Sequence, residues 1–385
     1  MATQHPIIII GSGLAGYTLA KEFRKLDQTT PLTIITASDG RYYSKPLLST
    51  ALTKQQLPAK LAMADVDSMR QQLNAEILVK TRVNKIDAAQ QCIYIGEQPL
   101  IYSKLVLACG ADPIKPAISG SAAEKILSVN DLEDYHVFRD SLHGKKHIAI
   151  LGAGLVGCEF ANDLLNSDYS VSVIALGRYP LDTLLPEAIG KELQLALQMK
   201  GAHWHLQQSA KQIAHHDNRF LITLTDGTQL TVDLILSAIG LRPHTHLAHS
   251  AGIKINRGIV VDRLLQTSIE NIYALGDCAE VNGIVQLFIA PLLESARTLA
   301  KTLAGNKTLI HYPPMPVIVK TPAFPLVLLP PPPDVKGEWR IEQDKHNIKA
   351  IFCDAQQKIH GFVLTGTRIK EKNDLVNIML TSSHL

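Results

Sequence analysis

Six glycines carry the first chemical signal in this 385-residue chain. Gly11, Gly13 and Gly16, with Ser12, Leu14 and Ala15 between them, form one G-x-G-x-x-G turn; Gly152, Gly154 and Gly157 form a second. In such a turn the first glycine permits a tight reversal, the second lets the backbone approach a pyrophosphate, and the third lets helix and strand pack closely. The helix that follows offers its N-terminal amides to the phosphates. Taken alone, either triplet is also compatible with a turn that holds no ligand. A third signal is Gly276-Asp277, where a short strand ends in a glycine and a carboxylate ahead of a helix.

The elements around the triplets decide between those readings. Residues 7–10 are four isoleucines, which read as a buried parallel strand, and a helix is expected from about 14 to 26. A second strand follows at 32–36. The same order restarts at 147–151, with a helix from about 155 to 165 and a strand at 171–174. Each copy then continues into a hairpin and a strand that stops at glycine, at 105–110 and at 234–240. Two copies in one order are far more specific than either turn alone.

Neither copy places an acid where a dinucleotide fold usually holds a ribose hydroxyl. Thr36 occupies that position in the first, with Asp39 slightly later. The second reads Ile174-Ala-Leu-Gly-Arg178, so its local chemistry leaves both NADH and NADPH open.

The rest of the chain reads as shorter pieces. A polar-aromatic turn at 41–48 enters a helix, strands are expected at 73–79 and 82–87, and residues 112–116 look like a linker. A helix is expected near 292–303. Beyond it, Pro330 to Pro333 form a polyproline-type linker or edge, followed by strands at 338–341, 348–352 and 359–364 and a helix from about 370 to 380. The fold class is therefore α/β, with two Rossmann-like dinucleotide-binding domains and a small α+β C-terminal domain.

Composition agrees with this and narrows the function. The chain is 46% hydrophobic and 19% charged, as expected of a globular protein that buries parallel strands. Its net charge of +3 is too small to argue for nucleic acid, and none is expected as a partner. No apolar run reaches the roughly 18–20 residues that span a bilayer, and no signal peptide is read, so a cytoplasmic location is expected. The five cysteines are scattered, without metal spacing. His203, His205, His215, His216, His244, His246 and His249 fall in loops and hairpins without partner acids at metal spacing, so no metal is expected.

Two dinucleotide units with hairpins and a late Gly-Asp turn resemble the FAD-dependent pyridine nucleotide–disulfide oxidoreductases over essentially the whole chain. The resemblance implies a discontinuous FAD domain at 1–113 and 241–315, an NAD(P)H domain at 114–240 and an interface domain at 316–385. It assigns Gly11 through Gly16 to FAD, Asp277 to the flavin ribityl and phosphate region, and Val83 to the adenine through its backbone. Gly152, Gly154 and Gly157 would hold NADH. Lys45 would lie beside flavin N5, Glu159 near the nicotinamide carboxamide and paired with Lys45, and Lys320 under the pyrimidine end of the flavin.

The stretch 38–53 contains no cysteine, whereas the disulfide reductases carry a pair there. Electrons must then leave from the flavin itself, which favours the branch that serves small iron proteins, the ferredoxin and rubredoxin reductases. Ser44-Lys-Pro46, Asn130-Asp-Leu-Glu-Asp-Tyr135, Gly-Cys-Glu-Phe-Ala-Asn-Asp at 157–163 and Val-Lys-Thr-Pro at 319–322 are similar to the rubredoxin reductases of that branch. The resemblance implies transfer from NADH through FAD to acidic rubredoxin, supplying an alkane monooxygenase. Its rivals are a ferredoxin or flavorubredoxin acceptor, an NAD(P)H oxidase, and a redox-sensing nucleotide-binding protein. Monomer and dimer both stay open.

Overall fold

The computed structural model describes residues 5–381. The chain forms two compact units. One gathers the stretch through Lys45, Ala59–Asp112 and Leu241–Tyr312; the other gathers Pro46–Pro58, Pro113–Gly240 and the stretch from Pro313 onward.

The first unit is built on a five-stranded parallel sheet. Its order is Ile272–Ala274, Lys104–Leu107, Ile7–Ile10, Leu32–Ile35, Glu76–Leu78. All four isoleucines of the central strand are buried, because a parallel sheet is covered on both faces. Each such side chain contributes about 2 kcal/mol of burial. The helix Leu14–Arg24 covers one face and buries Tyr17, Leu19, Ala20 and Phe23.

The second unit repeats that sheet: Leu127–Ser128, Leu234–Ser237, His147–Leu151, Ser170–Ala175, Ala202–Leu206, all parallel. The strand that precedes the glycine turn is central in both. A ligand-binding crevice is therefore expected at the carboxyl ends of the central strands in each unit. The second unit also holds a five-stranded antiparallel sheet, ordered Val317–Val319, Leu326–Leu329, Ile359–Thr365, Asn347–Cys353, Glu338–Asp344. The helix Lys372–Thr381 packs Leu375 and Met379 against Val327, Phe362 and Leu364 of that sheet.

Several expected elements shift. Residues 73–79 are not one strand: Leu73 closes the helix Val66–Leu73, and only Glu76–Leu78 is extended. Local capping explains this. The Asp65 carboxylate accepts the Ser68 amide at 2.8 Å, and Asn74 ends the helix in a left-handed conformation, φ 42°. The strand expected from Arg82 begins only at Lys85. The turn at 41–48 leads into a 3-10 helix, Lys45–Thr50, rather than an α-helix. The helix Glu187–Met199, not anticipated, starts after Pro186. Pro330 to Pro333 lie between Leu326–Leu329 and Glu338–Asp344, where no ladder needs their missing amides.

Candidate functional site

The two glycine turns have the same construction. Gly11 has φ +117° and Gly152 φ +105°, a region L side chains rarely enter. A Cβ on Gly11 would run into the Ala108 carbonyl, and one on Gly152 into the Ala238 carbonyl. A Cβ on Gly16 or Gly157 would strike the carbonyl of its own first glycine. Gly13 and Gly154 differ from these. Each caps its helix in extended backbone, and a Cβ there would meet nothing within 4 Å. The crowded first and third glycines hold the fold together, and the open middle glycine faces the space that a pyrophosphate would fill.

In the first unit, the turn is surrounded by hydroxyls. Ser12 Oγ donates to Thr36 Oγ1 at 2.9 Å, and Thr36 Oγ1 lies 2.9 Å from Ser38 Oγ. This hydroxyl set, with Ser12 and Thr36 buried and Ser38 exposed, stands where an acid was missing from the sequence. The segment leading to Val83 is tied to it: the Thr81 amide donates to the Thr36 carbonyl at 2.8 Å, and the Lys80 amide to the Ser38 carbonyl at 2.8 Å. Val83 is buried, in the extended stretch before Lys85–Asp87. Asp277 lies in a short 3-10 turn, Gly276–Cys278. Gly276 has φ +75°, and a Cβ there would press on Ala15 at 2.9 Å, so the Gly-Asp turn lies against the glycine helix. Burial raises the Asp277 carboxyl above its ordinary range, opposed by the charge of Lys45 in the same unit.

In the second unit the glycine turn leads into the helix Leu155–Leu165, which carries buried polar groups on one side. Glu159, Asn162 and Asp163 are 6%, 2% and 3% exposed. Glu159 accepts from Lys320 Nζ at 2.7 Å, Ser49 Oγ at 2.6 Å and the Lys320 amide at 3.1 Å. Lys320 Nζ also donates to Ser49 Oγ at 2.8 Å and to the Pro46 carbonyl. Asn162 accepts the Ala323 amide at 3.0 Å; Asp163 accepts the amides of Leu52 and Thr53 at 3.0 and 2.9 Å. Buried charge at this depth is tolerated only when paired and hydrogen-bonded, as it is here. A cleft of about 340 Å³ opens beside it, lined by Ser49, Thr53, Asp163, Lys320 and Pro325 among others.

The structure thus brings Glu159 and Lys320 together, gives Glu159 a lysine partner from the Val-Lys-Thr-Pro segment, and leaves Lys45 beside Asp277 in the first unit. Ser49, Asn162 and Asp163 were missed in the sequence. A signal for the last two was present: with Glu159 they are polar residues at i, i+3 and i+4 of an otherwise apolar helix.

The residues present fit two dinucleotides. Besides the open middle glycines, Ser237 Oγ is buried without a partner among the described residues, and its strand position is in register with Leu151, just before the second turn. All five cysteines are free, and burial pushes the thiol of Cys278 up to about 11 and that of Cys158 still higher. Among the described residues no group of three His, Cys, Asp or Glu could hold a metal, and no helix is long and apolar enough to cross a membrane.

Two parallel sheets, each with a glycine turn at its centre, give the chain two dinucleotide cradles. The chain belongs to the pyridine nucleotide-disulphide oxidoreductase family, whose model matches residues 5–298. A second model, described as a rubredoxin binding C-terminal domain, matches residues 309–379. The Rubredoxin-NAD(+) reductase of Alcanivorax borkumensis is 47% identical over 373 residues, covering 96% of this chain and 97% of that protein. The corresponding protein of Acinetobacter baylyi is 44% identical over 370 residues, covering 94% of each. A Nitric oxide reductase FlRd-NAD(+) reductase of Vibrio vulnificus is 36% identical over 368 residues, 95% of this chain and 96% of that one. In fold the chain is similar to putidaredoxin reductase, solved as a covalent complex with putidaredoxin: TM-score 0.89 at 20% identity, covering 97% and 93%.

Proposed function

We propose that this chain is an FAD-dependent reductase that passes electrons from NADH to rubredoxin in the cytoplasm, supplying an alkane monooxygenase. The carrying observation is the match of residues 309–379 to a rubredoxin-binding domain, in a chain that aligns end to end with two rubredoxin reductases. FAD held by these residues would supply the conversion the reaction requires, from a two-electron hydride donor to a one-electron iron acceptor, so that each NADH reduces two rubredoxins and leaves one proton to water.

The chain's own part is binding, orientation and charge. The first glycine turn with Ser12, Thr36 and Ser38 holds FAD, Asp277 orients its ribityl and phosphate region, and Val83 meets the adenine. The second turn holds NADH. Glu159 positions the nicotinamide, and its pairing with Lys45 belongs to this reading. Lys320 brings positive charge to the flavin's pyrimidine end, which favours acceptance of the hydride. Glu159 and Ser49 hold the Lys320 side chain by an ion pair and a hydrogen bond, so its position is fixed by its own neighbours. No residue here need act as general acid or base.

The test is turnover by the FAD-loaded protein with NADH and purified rubredoxin, followed by bleaching of the oxidised iron centre. Rubredoxin reduction that outpaces oxygen consumption, and that slows as salt rises, is expected of an acidic partner meeting a chain of net charge +3. Oxygen consumption faster than rubredoxin reduction at every salt concentration would sink the reading. The FlRd-NAD(+) reductases among the relatives favour one second acceptor, flavorubredoxin, which the same assay compares directly.

A further inference from the structure

The second glycine turn poses a problem that its sequence does not solve. The strand Ser170–Ala175 ends in a buried alanine and is followed by an exposed leucine, Leu176, so no carboxylate stands at its end. Yet a carboxylate reaches this place from further along the chain. Asp182 Oδ2 accepts the Arg178 amide at 3.2 Å, and a Cβ on Gly177 would lie within 2.7–2.8 Å of the Asp182 carboxyl atoms. The carboxylate therefore rests on the first residues after the strand, and only a glycine at 177 leaves it room.

The segment that delivers Asp182 is fastened to the glycine turn itself. The preceding residue, Leu181, donates its amide to the carbonyl of Ala153, between Gly152 and Gly154, at 2.9 Å. Leu181 is 2% exposed and has φ +58°, a left-handed conformation that is strained for a non-glycine residue. Such strain persists only where surrounding contacts impose it. Asp182 Oδ1 accepts no hydrogen bond among the described residues. Arg178, the cation that would suit a 2′-phosphate, has its guanidinium over the Tyr179 ring, 5.8 Å from the centroid.

We propose that Asp182 is the specificity-determining carboxylate of the second nucleotide site, reading the free 2′-hydroxyl of the adenosine ribose and repelling a 2′-phosphate. It takes the part that a strand-end acid plays elsewhere, arriving through a loop pinned to the glycine turn. This rests on the reading of that turn as the NADH site. A carboxylate accepts from a ribose hydroxyl and disfavours a second anion at the same place. The chain would then prefer NADH although its strand end has the composition of a permissive site.

The test is binding, by titration calorimetry on the flavin-loaded full chain, of ADP-ribose and 2′-phospho-ADP-ribose, neither of which can be oxidised. The wild type is expected to prefer ADP-ribose. Asp182→Asn keeps an acceptor for the Arg178 amide but loses the charge, and should lower the ratio of the two affinities at least tenfold. Gly177→Ala, which displaces the carboxylate, should lower it in the same direction, while Arg178→Gln should leave the preference for ADP-ribose in place. An unchanged ratio in Asp182→Asn, with ADP-ribose still bound, overturns the role of Asp182 and spares the NADH reading. If the wild type binds neither compound, both fall.

Discussion

The two glycine turns share one backbone and differ in what their side chains do. The amides of Gly11 and Gly152 donate the same bond to the neighbouring strand, to the Ile35 and Ile174 carbonyls at 2.8 Å each. Gly13 and Gly154 cap their helices at nearly the same angles, φ −65° and −75°. Beyond that they diverge. Position by position, Ser12 corresponds to Ala153, Thr18 to Glu159 and Lys21 to Asn162. The first helix buries Tyr17 and Thr18 and closes a hydroxyl set over its strand end; the second buries a carboxylate that a lysine must answer. A phosphate cradle is thus a matter of backbone and can be repeated. What surrounds it is a matter of side chains, and there the units diverge; under the proposed function the first would hold FAD and the second NADH.

Four sets of substitutions sharpen or break that contrast. The largest effect belongs to the third glycines. Gly16→Val and Gly157→Val each drive a side chain into the backbone of the turn, at a cost of at least about 1–3 kcal/mol. Gly16→Val should lose most of its flavin, read from the ratio of visible to ultraviolet absorbance. Gly157→Val should keep its flavin and lose NADH binding by tenfold or more. Loss of flavin in both would mean that the units do not divide the two ligands.

Next is the Glu159–Lys320 pair. Lys320→Met leaves a buried carboxylate without its cation and should cost about 3 kcal/mol in denaturant unfolding. The double variant with Glu159→Gln should recover most of that, since a neutral amide still accepts from Ser49. Lack of recovery would show that the lysine acts through packing rather than charge. Smaller again is Ser12→Ala. It removes one neutral hydroxyl contact from the Ser12–Thr36–Ser38 set, worth about 1 kcal/mol, so FAD affinity should fall roughly fivefold. The corresponding residue in the second turn is already alanine, so Ala153→Ser should leave FAD affinity unchanged.

The smallest effect is a dependence on pH. The His147 imidazole is held below its ordinary value, first by burial and then by His203 and Arg219, with Asp233 opposing. A histidine depressed in the folded state favours the neutral fold. Its contribution is intact above the unfolded value near 6.5 and is lost as pH falls below it, because only the unfolded chain then takes up the proton. His147→Gln should flatten the fall in Tm between pH 7 and pH 5 by about 2 °C, measured by calorimetry. An equal slope in both proteins would place the titrating group elsewhere.

Much of this was legible before any coordinates. The isoleucine strand, both glycine triplets, their helices and Gly276-Asp277 fold as their spacing implies, because each signal is local: period, turn chemistry and capping act over a few residues. The strand at 73–79 failed for the same local reason. Asp65 and Asn74 cap a helix whose last residue, Leu73, looked like the start of a strand.

What tertiary structure alone decided are the contacts between residues far apart in sequence. That Lys320 answers Glu159, 161 residues earlier, and that Ser49 bridges them, follows from packing and from the high cost of an unpaired buried charge. That Asp182 stands in for an absent strand-end acid depends on one amide reaching the Ala153 carbonyl and on the left-handed turn at Leu181. The sequence by itself determined that there are two cradles and where they lie. Which side chains meet beside each cradle was settled only when the chain closed on itself, since that choice is made by three-dimensional neighbours and not by spacing.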